Sequence, residues 1–416
     1  MILFKRYFSF FLFLFIATAP ILWLPGINSS SMRLIKILLI SIAIVIFFYG
    51  YIYNKVSIKA PTYLFIMCGL CTILFPLFLL NSSEYFTESL SYTLNFIFGF
   101  ITIIIGFNFY NRFKDYTVIF RNLYILIILI VVFPISNFFF EFPDWNDQLP
   151  EVRDYGIRAL WYTGFSAHRT GWSETLSLFV TLPFFFLENS KKRSIVLYLI
   201  IILPVVTAQI LSTSRTGFLC SFFALVIFIF KKTSKTEITG FFAVATGLII
   251  MFYSDILIIL RVSSDSGDIS DTSDISSGRS DMYVNFFNIF LKKPIQGSGF
   301  QGSGVELSKI GIDQEMHNSL LRVMIDHGLI FGILAIMLSL EAFRMAISTL
   351  SNKDESTLSN VFSMIILQGL FIAMFSPAFI FGGFQVSSLW WLSVGMLAKE
   401  RFLKGKLVAC CITKYR

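Results

Sequence analysis

The feature that most constrains this chain is a repetition of long, nearly uncharged apolar runs from one end to the other. They lie at about 7–24, 34–53, 62–80, 91–110, 120–140, 172–187, 194–211, 216–230, 237–260, 319–340, 358–380 and 386–403. A run of about 20 apolar residues matches the hydrocarbon thickness of a bilayer. Backbone inside lipid has no water to bond, so each run must close its own hydrogen bonds as a helix. The expected fold class is an all-α membrane protein of about twelve transmembrane helices. Two long polar loops lie on one face, the second holding a short surface helix. The runs at 172–187, 216–230 and 386–403 are short for a full span, so the count carries a tolerance of one.

Composition enters as an exclusion. Charged residues make up 14% and mean hydropathy is +0.76, whereas a soluble domain carries roughly 25% charged residues. Fifty phenylalanines suit helices that face lipid tails. The net charge of +8 does not mark a nucleic-acid partner, because the bases cluster in short segments between apolar runs. That clustering is a topology signal. With the N-terminus cytoplasmic, inner segments carry Lys5 and Arg6, Lys55 and Lys59, Lys191 to Arg193, Lys231 and Lys232, Arg344 and Lys353, and the basic tail from Lys399 to Arg416. Of the short outer loops, 81–90 holds Glu84 and Glu88 but no base, with Arg33 the main exception on that side. Both termini are expected in the cytoplasm. Lys5, Arg6 and the Ala17-Thr18-Ala19 segment resemble a signal peptide, but Pro20 stands where cleavage would follow. A retained first helix is expected.

The chain divides into helices 1–5 (1–140), a first external loop (141–171), helices 6–9 (172–260), a large external loop (261–317), and helices 10–12 with a cytoplasmic tail (318–416). Long ordered loops are more often functional than idle. The large loop opens on a Ser/Asp/Gly-rich stretch in which Asp265, Asp268, Asp271 and Asp274 recur every third residue. That spacing lacks the ligand pattern of a calcium loop and reads as a solvated linker. Ser280 or Asp281 can then cap a helix from Met282 to Lys292, with Tyr283, Phe286, Phe287 and Phe290 on one side, suited to lie along the membrane surface. Pro294 ends it, and Gly297, Gly299, Gly302 and Gly304 make a flexible turn. Asn318 or Ser319 can cap the tenth helix. Cys68, Cys71, Cys220, Cys410 and Cys411 avoid both long loops, so no disulfide framework is expected there.

Three positions can carry chemistry. Arg215 lies in the hydroxyl-rich turn Ser212-Thr213-Ser214-Arg215-Thr216-Gly217 between the seventh and eighth helices. An arginine there either snorkels to headgroups or serves a site, since burying it near the bilayer is costly. Arg279 precedes the surface helix, where unpaired N–H groups and a guanidinium can share an anion; pairing with Asp281 or Asp274 is the plainer role. His317, at the start of the tenth helix, is either structural or the one side chain able to take a proton from a sugar hydroxyl near neutral pH. The first loop adds Arg158, His168 and Arg169 among aromatics from Trp161 to Trp172. That mixture suits sugar stacking with phosphate contact as well as it suits an interfacial belt. The sequence lacks a GxxxxGK[ST] phosphate loop, an HExxH pair, a GxSxG elbow and the aspartate pairs that hold a divalent metal. A transfer enzyme so built needs a substrate that carries its own activation, such as a lipid diphosphate sugar. No cofactor or metal is expected.

The Ser-x-Ser-Arg turn at Ser212 to Arg215, Gly278-Arg279 before a short helix, Pro294 to Gly299, and His317-Asn318 through Gly328-Leu329-Ile330 together resemble the O-antigen ligase and polymerase superfamily, over roughly residues 150–340. The resemblance implies metal-independent glycosyl transfer on the periplasmic side of a bacterial inner membrane. The substrate would be an undecaprenyl-diphosphate-linked oligosaccharide. Arg215 and Arg279 would hold the diphosphate and His317 would activate the acceptor hydroxyl, with Arg158, His168, Arg169 and Asn318 as further glycan or acceptor contacts. Ligases of the family often place a second glycine where this chain has Phe331, with Gly332 one later. That departure and the Thr163-Gly164-Phe165 and Arg169-Thr170-Gly171-Trp172 segments favour a polymerase over a ligase. A partner governing chain length is compatible with that reading. A lipid-linked oligosaccharide flippase is the alternative of another class, but transporters place charges mid-span and show repeated halves.

Overall fold

The computed structural model describes residues 2–21, isolated positions between 34 and 45, 86–109, 113–140, 169–188, 195–212, 214–232, 279–295, 297–298, 302–309, 311, 316–352, 355–376, 379–381 and 384–414. Among these no strand occurs. The helices are α1 (Ile2–Ile21), α2 (Phe86–Phe109), α3 (Phe113–Phe140), α4 (Arg169–Phe179), α5 (Leu182–Glu188), α6 (Ile195–Leu211), α7 (Arg215–Lys232), α8 (Arg279–Lys292), α9 (Gly302–Lys309), α10 (Ser319–Ser351), α11 (Thr357–Phe375) and α12 (Phe384–Lys414). The runs expected at 62–80 and 237–260, most of 34–53, the first external loop to residue 168 and the Ser/Asp linker lie outside the described residues.

Two described helices, α10 and α11, are long and apolar enough to cross a membrane. Shorter apolar stretches run through α2, α3, α6 and α7. Their shared core is built of Phe, Ile, Leu and Trp from the helices α1 to α7 and α10 to α12. Lipid offers no hydrophobic drive between helices, so close approach of small residues matters. At the α2–α12 crossing, a Cβ on Gly106 would stand 2.6 Å from the Leu392 carbonyl oxygen. Trp390 and Trp391 sit fully buried at 5.0 Å and 88°. Each indole N–H is satisfied, Trp390 donating to the Ile366 carbonyl at 3.1 Å and Trp391 to that of Ile380 at 3.2 Å.

Five elements differ from the expectation. The run at 172–187 is not one helix but two, α4 and α5, broken at Val180-Thr181. Pro183 has no N–H to give and cannot continue α4. The Tyr198 hydroxyl from α6 takes up the Val180 carbonyl at 2.9 Å. The surface helix begins three residues earlier than expected, at Arg279, so Ser280 and Asp281 lie in its first turn. The glycine-rich segment is not wholly a turn, since Gly302 and Gly304 open the helix α9, which buries Leu307. The last helix runs on through most of the expected tail, to Lys414.

The expectation that changes most is the tenth helix. It extends to Ser351 and is interrupted at Gly328, whose φ of 82° and ψ of 174° are not helical. That region of backbone space is essentially restricted to glycine. An unbroken α-helix would bond the Leu329 N–H to the Ile325 carbonyl. Instead the Leu329 N–H donates to the Pro294 carbonyl at 2.8 Å, and the Ser298 N–H donates to the Ile325 carbonyl at 3.0 Å. The Ser298 hydroxyl adds a second bond to Ile325 at 3.2 Å. The Pro294–Ser298 strap thus takes over both halves of the one bond that the helix gives up.

Candidate functional site

A site is argued first from which helix ends meet. Ser173 of α4 stands so close to Gly217 of α7 that a Cβ on Gly217 would overlap the Ser173 hydroxyl. The amide of Gln209, near the end of α6, donates to the Ser173 carbonyl at 3.1 Å and to the Gly217 carbonyl at 3.2 Å. About one turn along, Gln368 of α11 donates to the Ser177 carbonyl at 2.9 Å and the Cys220 carbonyl at 3.2 Å. Two glutamine amides therefore each clasp one carbonyl of α4 and one of α7. The matched order, 173 with 217 and 177 with 220, makes α4 and α7 parallel, so both begin at the same end of the bundle.

Helix α11 extends that level to α10. The hydroxyl of Ser319, the first residue of α10, donates to the Ala373 carbonyl at 3.1 Å. Ala373 is five positions beyond Gln368, about 7.5 Å along the axis at 1.5 Å per residue. Cys220 is likewise five positions beyond Arg215. Phe120 of α3 meets both Phe185 of α5 and Phe362 of α11, so α11 runs opposite to α4 and α7, and the first residues of α7 and α10 lie at about one height.

The candidate residues occupy these helix starts. Arg215 is the first residue of α7, half-buried, after the buried Ser212 and Ser214. The Ser214 hydroxyl is buried with no hydrogen-bond partner among the described residues. Arg279 is the first residue of α8, and Arg169 the first of α4. His317, half-buried, comes two residues before α10. A helix start presents unpaired N–H groups and the positive end of the macrodipole, which favours an anion there. The placement brings Arg169, Arg215 and His317 to one end. Helix α8 joins them by packing Phe286 and Ile289 against Met316 and Ile325, around the first turns of α10. Asn318 is the N-cap, its side-chain oxygen accepting from the Leu321 N–H at 3.0 Å, whereas Ser319 turns to α11 instead. Arg158 and His168 lie outside the described residues.

Sequence reasoning passed over several residues. Arg322 and Asp326 form a buried pair one turn apart on α10, with Nε and Oδ2 at 3.4 Å and side chains 9% and 0% exposed. His327 follows, buried, edge-on to Phe96 at 6.4 Å and 5.8 Å from the Phe331 ring. Charged residues inside a span are default functional candidates, and the four-residue spacing within an apolar run was the available signal. Glu174 is buried on α4 beside Trp172 and Ser173. Gln209 and Gln368 gave no signal, because a glutamine in an apolar run announces neither partner.

Comparison with known proteins bears on the same stretch. No curated protein matches this chain. A family model described as O-antigen ligase matches residues 199–337, a segment that runs from within α6 to within α10. It contains Arg215, Arg279, His317 and Asn318, and it leaves the first external loop and Arg169 outside. The match is narrower than the stretch whose motifs carry the resemblance. Over residues 199–337 the match supports a likeness to the O-antigen ligase and polymerase superfamily.

Proposed function

We propose that the protein is an O-antigen polymerase, joining undecaprenyl-diphosphate-linked oligosaccharide repeats on the periplasmic face of a bacterial inner membrane for lipopolysaccharide biosynthesis. The family match supports ligase- or polymerase-type chemistry on lipid-linked oligosaccharides. The observation that carries the reading further is the arrangement of helix starts, with Arg215, Arg279 and His317 each at or just before the N-terminus of a helix. In this mechanism His317 takes the proton of an acceptor sugar hydroxyl. The freed oxygen attacks the anomeric carbon of the donor, and the bond from that carbon to the diphosphate breaks. Negative charge gathers on the leaving undecaprenyl diphosphate. The guanidiniums of Arg215 and Arg279 stabilise it more in the transition state than in the ground state. Arg158, His168, Arg169 and the Asn318 amide are assigned to the glycan or acceptor.

The reading includes about twelve spans, both termini cytoplasmic, the division of the chain given from sequence, and room for a chain-length regulator as partner. One observation favours a ligase that transfers glycan to lipid A core, namely the description of the matched family. Against it stands Phe331 at the second glycine position of the ligase pattern. A flippase has no such family support.

Deletion of the gene followed by gel analysis of lipopolysaccharide separates these readings. A core bearing a single repeat is expected. Bare core with long chains retained on the carrier lipid would make the protein a ligase instead. Complementation with His317→Ala or Arg279→Ala should restore membrane insertion but no ladder. A normal ladder from either variant removes the catalytic assignment.

A further inference from the structure

Helix α8 carries more apolar surface than its packing uses. Its inner side gives Phe286 and Ile289 to a small core with Leu307, Met316 and Ile325, flanked by the half-buried Tyr283 and Phe290. The aromatic arc expected on a single face does not stop there, since Phe287 is exposed. With Val284, Leu291 and Ile295 it forms a second stripe, 56–68% exposed. At about 100° per residue, the outward face of α8 divides in two. Val284, Phe287 and Leu291 line one edge, and Asn288 and Lys292 line the other, both exposed. A helix wholly in water gains nothing from the first edge, and one wholly in lipid could not keep the second.

The apolar edge is continuous with a surface that a membrane already accounts for. The Pro294 carbonyl accepts from the Leu329 N–H at 2.8 Å, which sets Ile295 beside the level at which α10 begins to expose its apolar flank. That flank consists of Leu329, Ile330, Ile333, Met337 and Leu340, on a helix long and apolar enough to span. Beneath the edge, between Val284 and Phe287 of α8 and Met324 of α10, opens an apolar cavity of about 470 Å³. Water has no polar partner in such a space, whereas hydrocarbon fills it without loss. Lys292 and Lys293, both exposed at the end of the helix, complement headgroup phosphates.

We infer that α8 is an in-plane membrane anchor: the Val284–Phe287–Leu291 edge and Ile295 are seated among phospholipid acyl chains, with Lys292 and Lys293 at the headgroups. The anchor sets the height of the start of α8, where Arg279 lies, relative to the bilayer surface. It holds whether or not the glycosyl-transfer assignment does, because the partner is the bilayer itself.

The test uses the full-length protein in phospholipid nanodiscs. A benzophenone amino acid is placed in turn at positions 287, 291 and 288, the discs are irradiated, and lipid adducts are counted by mass spectrometry. Adducts several-fold more abundant at 287 and 291 than at 288 are expected. Equal labelling at all three positions, or crosslinks at 287 and 291 to a second copy of the chain rather than to lipid, would overturn the inference. Should the bulky label prevent folding, Phe287→Trp in discs containing lipid brominated near the headgroup end of its acyl chains gives the same answer. Quenching beyond that of the native tryptophans is expected, and its absence refutes the anchor. Neither readout depends on activity, so failure of the polymerase reading leaves the result interpretable.

Discussion

Arg215 is held at the first position of α7, and its neighbours leave it little room to relocate. Gly217 abuts Ser173, and Gln209 bonds the carbonyls of both. These contacts fix the helix start, and a guanidinium carried on it offers a planar fork to two phosphate oxygens, which a lysine ammonium cannot reproduce. Under the proposed function, Arg215→Ala should lower chain extension about 10²-fold, the worth of one preorganised charge contact. Arg215→Lys should recover only part of it, measured by transfer from a lipid-linked repeat in purified membranes. Equal activity of the lysine variant and the native protein would place Arg215 at the headgroups rather than at the reaction. The buried Arg322–Asp326 pair makes a different prediction. Removing one partner leaves a buried charge uncompensated, at a cost of about 3–5 kcal/mol. Arg322→Met or Asp326→Leu should each lower the melting temperature in detergent, and the double replacement should recover much of the loss. Additive losses would mean that the two residues do not act as a pair.

At the scale of elements, the instructive object is the break in α10. Gly328 alone does not produce it; the strap from Pro294 to Ser298 does, by capturing the Leu329 N–H and the Ile325 carbonyl. Helix and strap form one unit, in which the first segment, from Ser319 to His327, carries the buried Arg322–Asp326 pair and stands next to His317. Gly328→Ala forces a side chain into backbone space that costs about 1–3 kcal/mol. The expected result is a lower melting temperature and faster hydrogen exchange at Leu329 and Ser298. Unchanged exchange at both amides would mean that the break does not need its glycine. The same scale explains α4 and α5. Pro183 ends the first helix, but the break persists in a bundle core because Tyr198 satisfies the Val180 carbonyl there. Irregular backbone at membrane depth is tolerated where protein supplies the missing bonds.

For the molecule as a whole, the distribution of Lys and Arg between inner and outer segments predicts both termini on the cytoplasmic side. A green fluorescent protein fused after Arg416 should fluoresce, and alkaline phosphatase at the same point should be inactive; the opposite pair of results would invert the topology. Much of this architecture was legible locally. Runs such as 194–211 and 319–340 announce α6 and the apolar part of α10, because a helix in lipid needs nothing but its own apolar length. The helix start near Arg215 and a cap at Asn318 or Ser319 follow from turn and cap chemistry within a few residues, whereas α8 starts at Arg279, three residues before the expected Met282. Other features had no local trace. The partner of the Ile325 carbonyl lies 27 residues away, and Gln368 reaches carbonyls 191 and 148 positions off. Phe286 and Phe287 are adjacent and chemically identical, yet one is buried against α10 and the other exposed. By itself the sequence determined that the chain is helical and apolar enough for a membrane, and which residue types stand at its helix starts. Tertiary structure alone decided which carbonyls tie α4, α7, α10 and α11 together at that end and where a spanning helix gives up a bond. The reason is physical: a buried polar group must be satisfied, and the group that satisfies it is chosen by packing rather than by sequence distance.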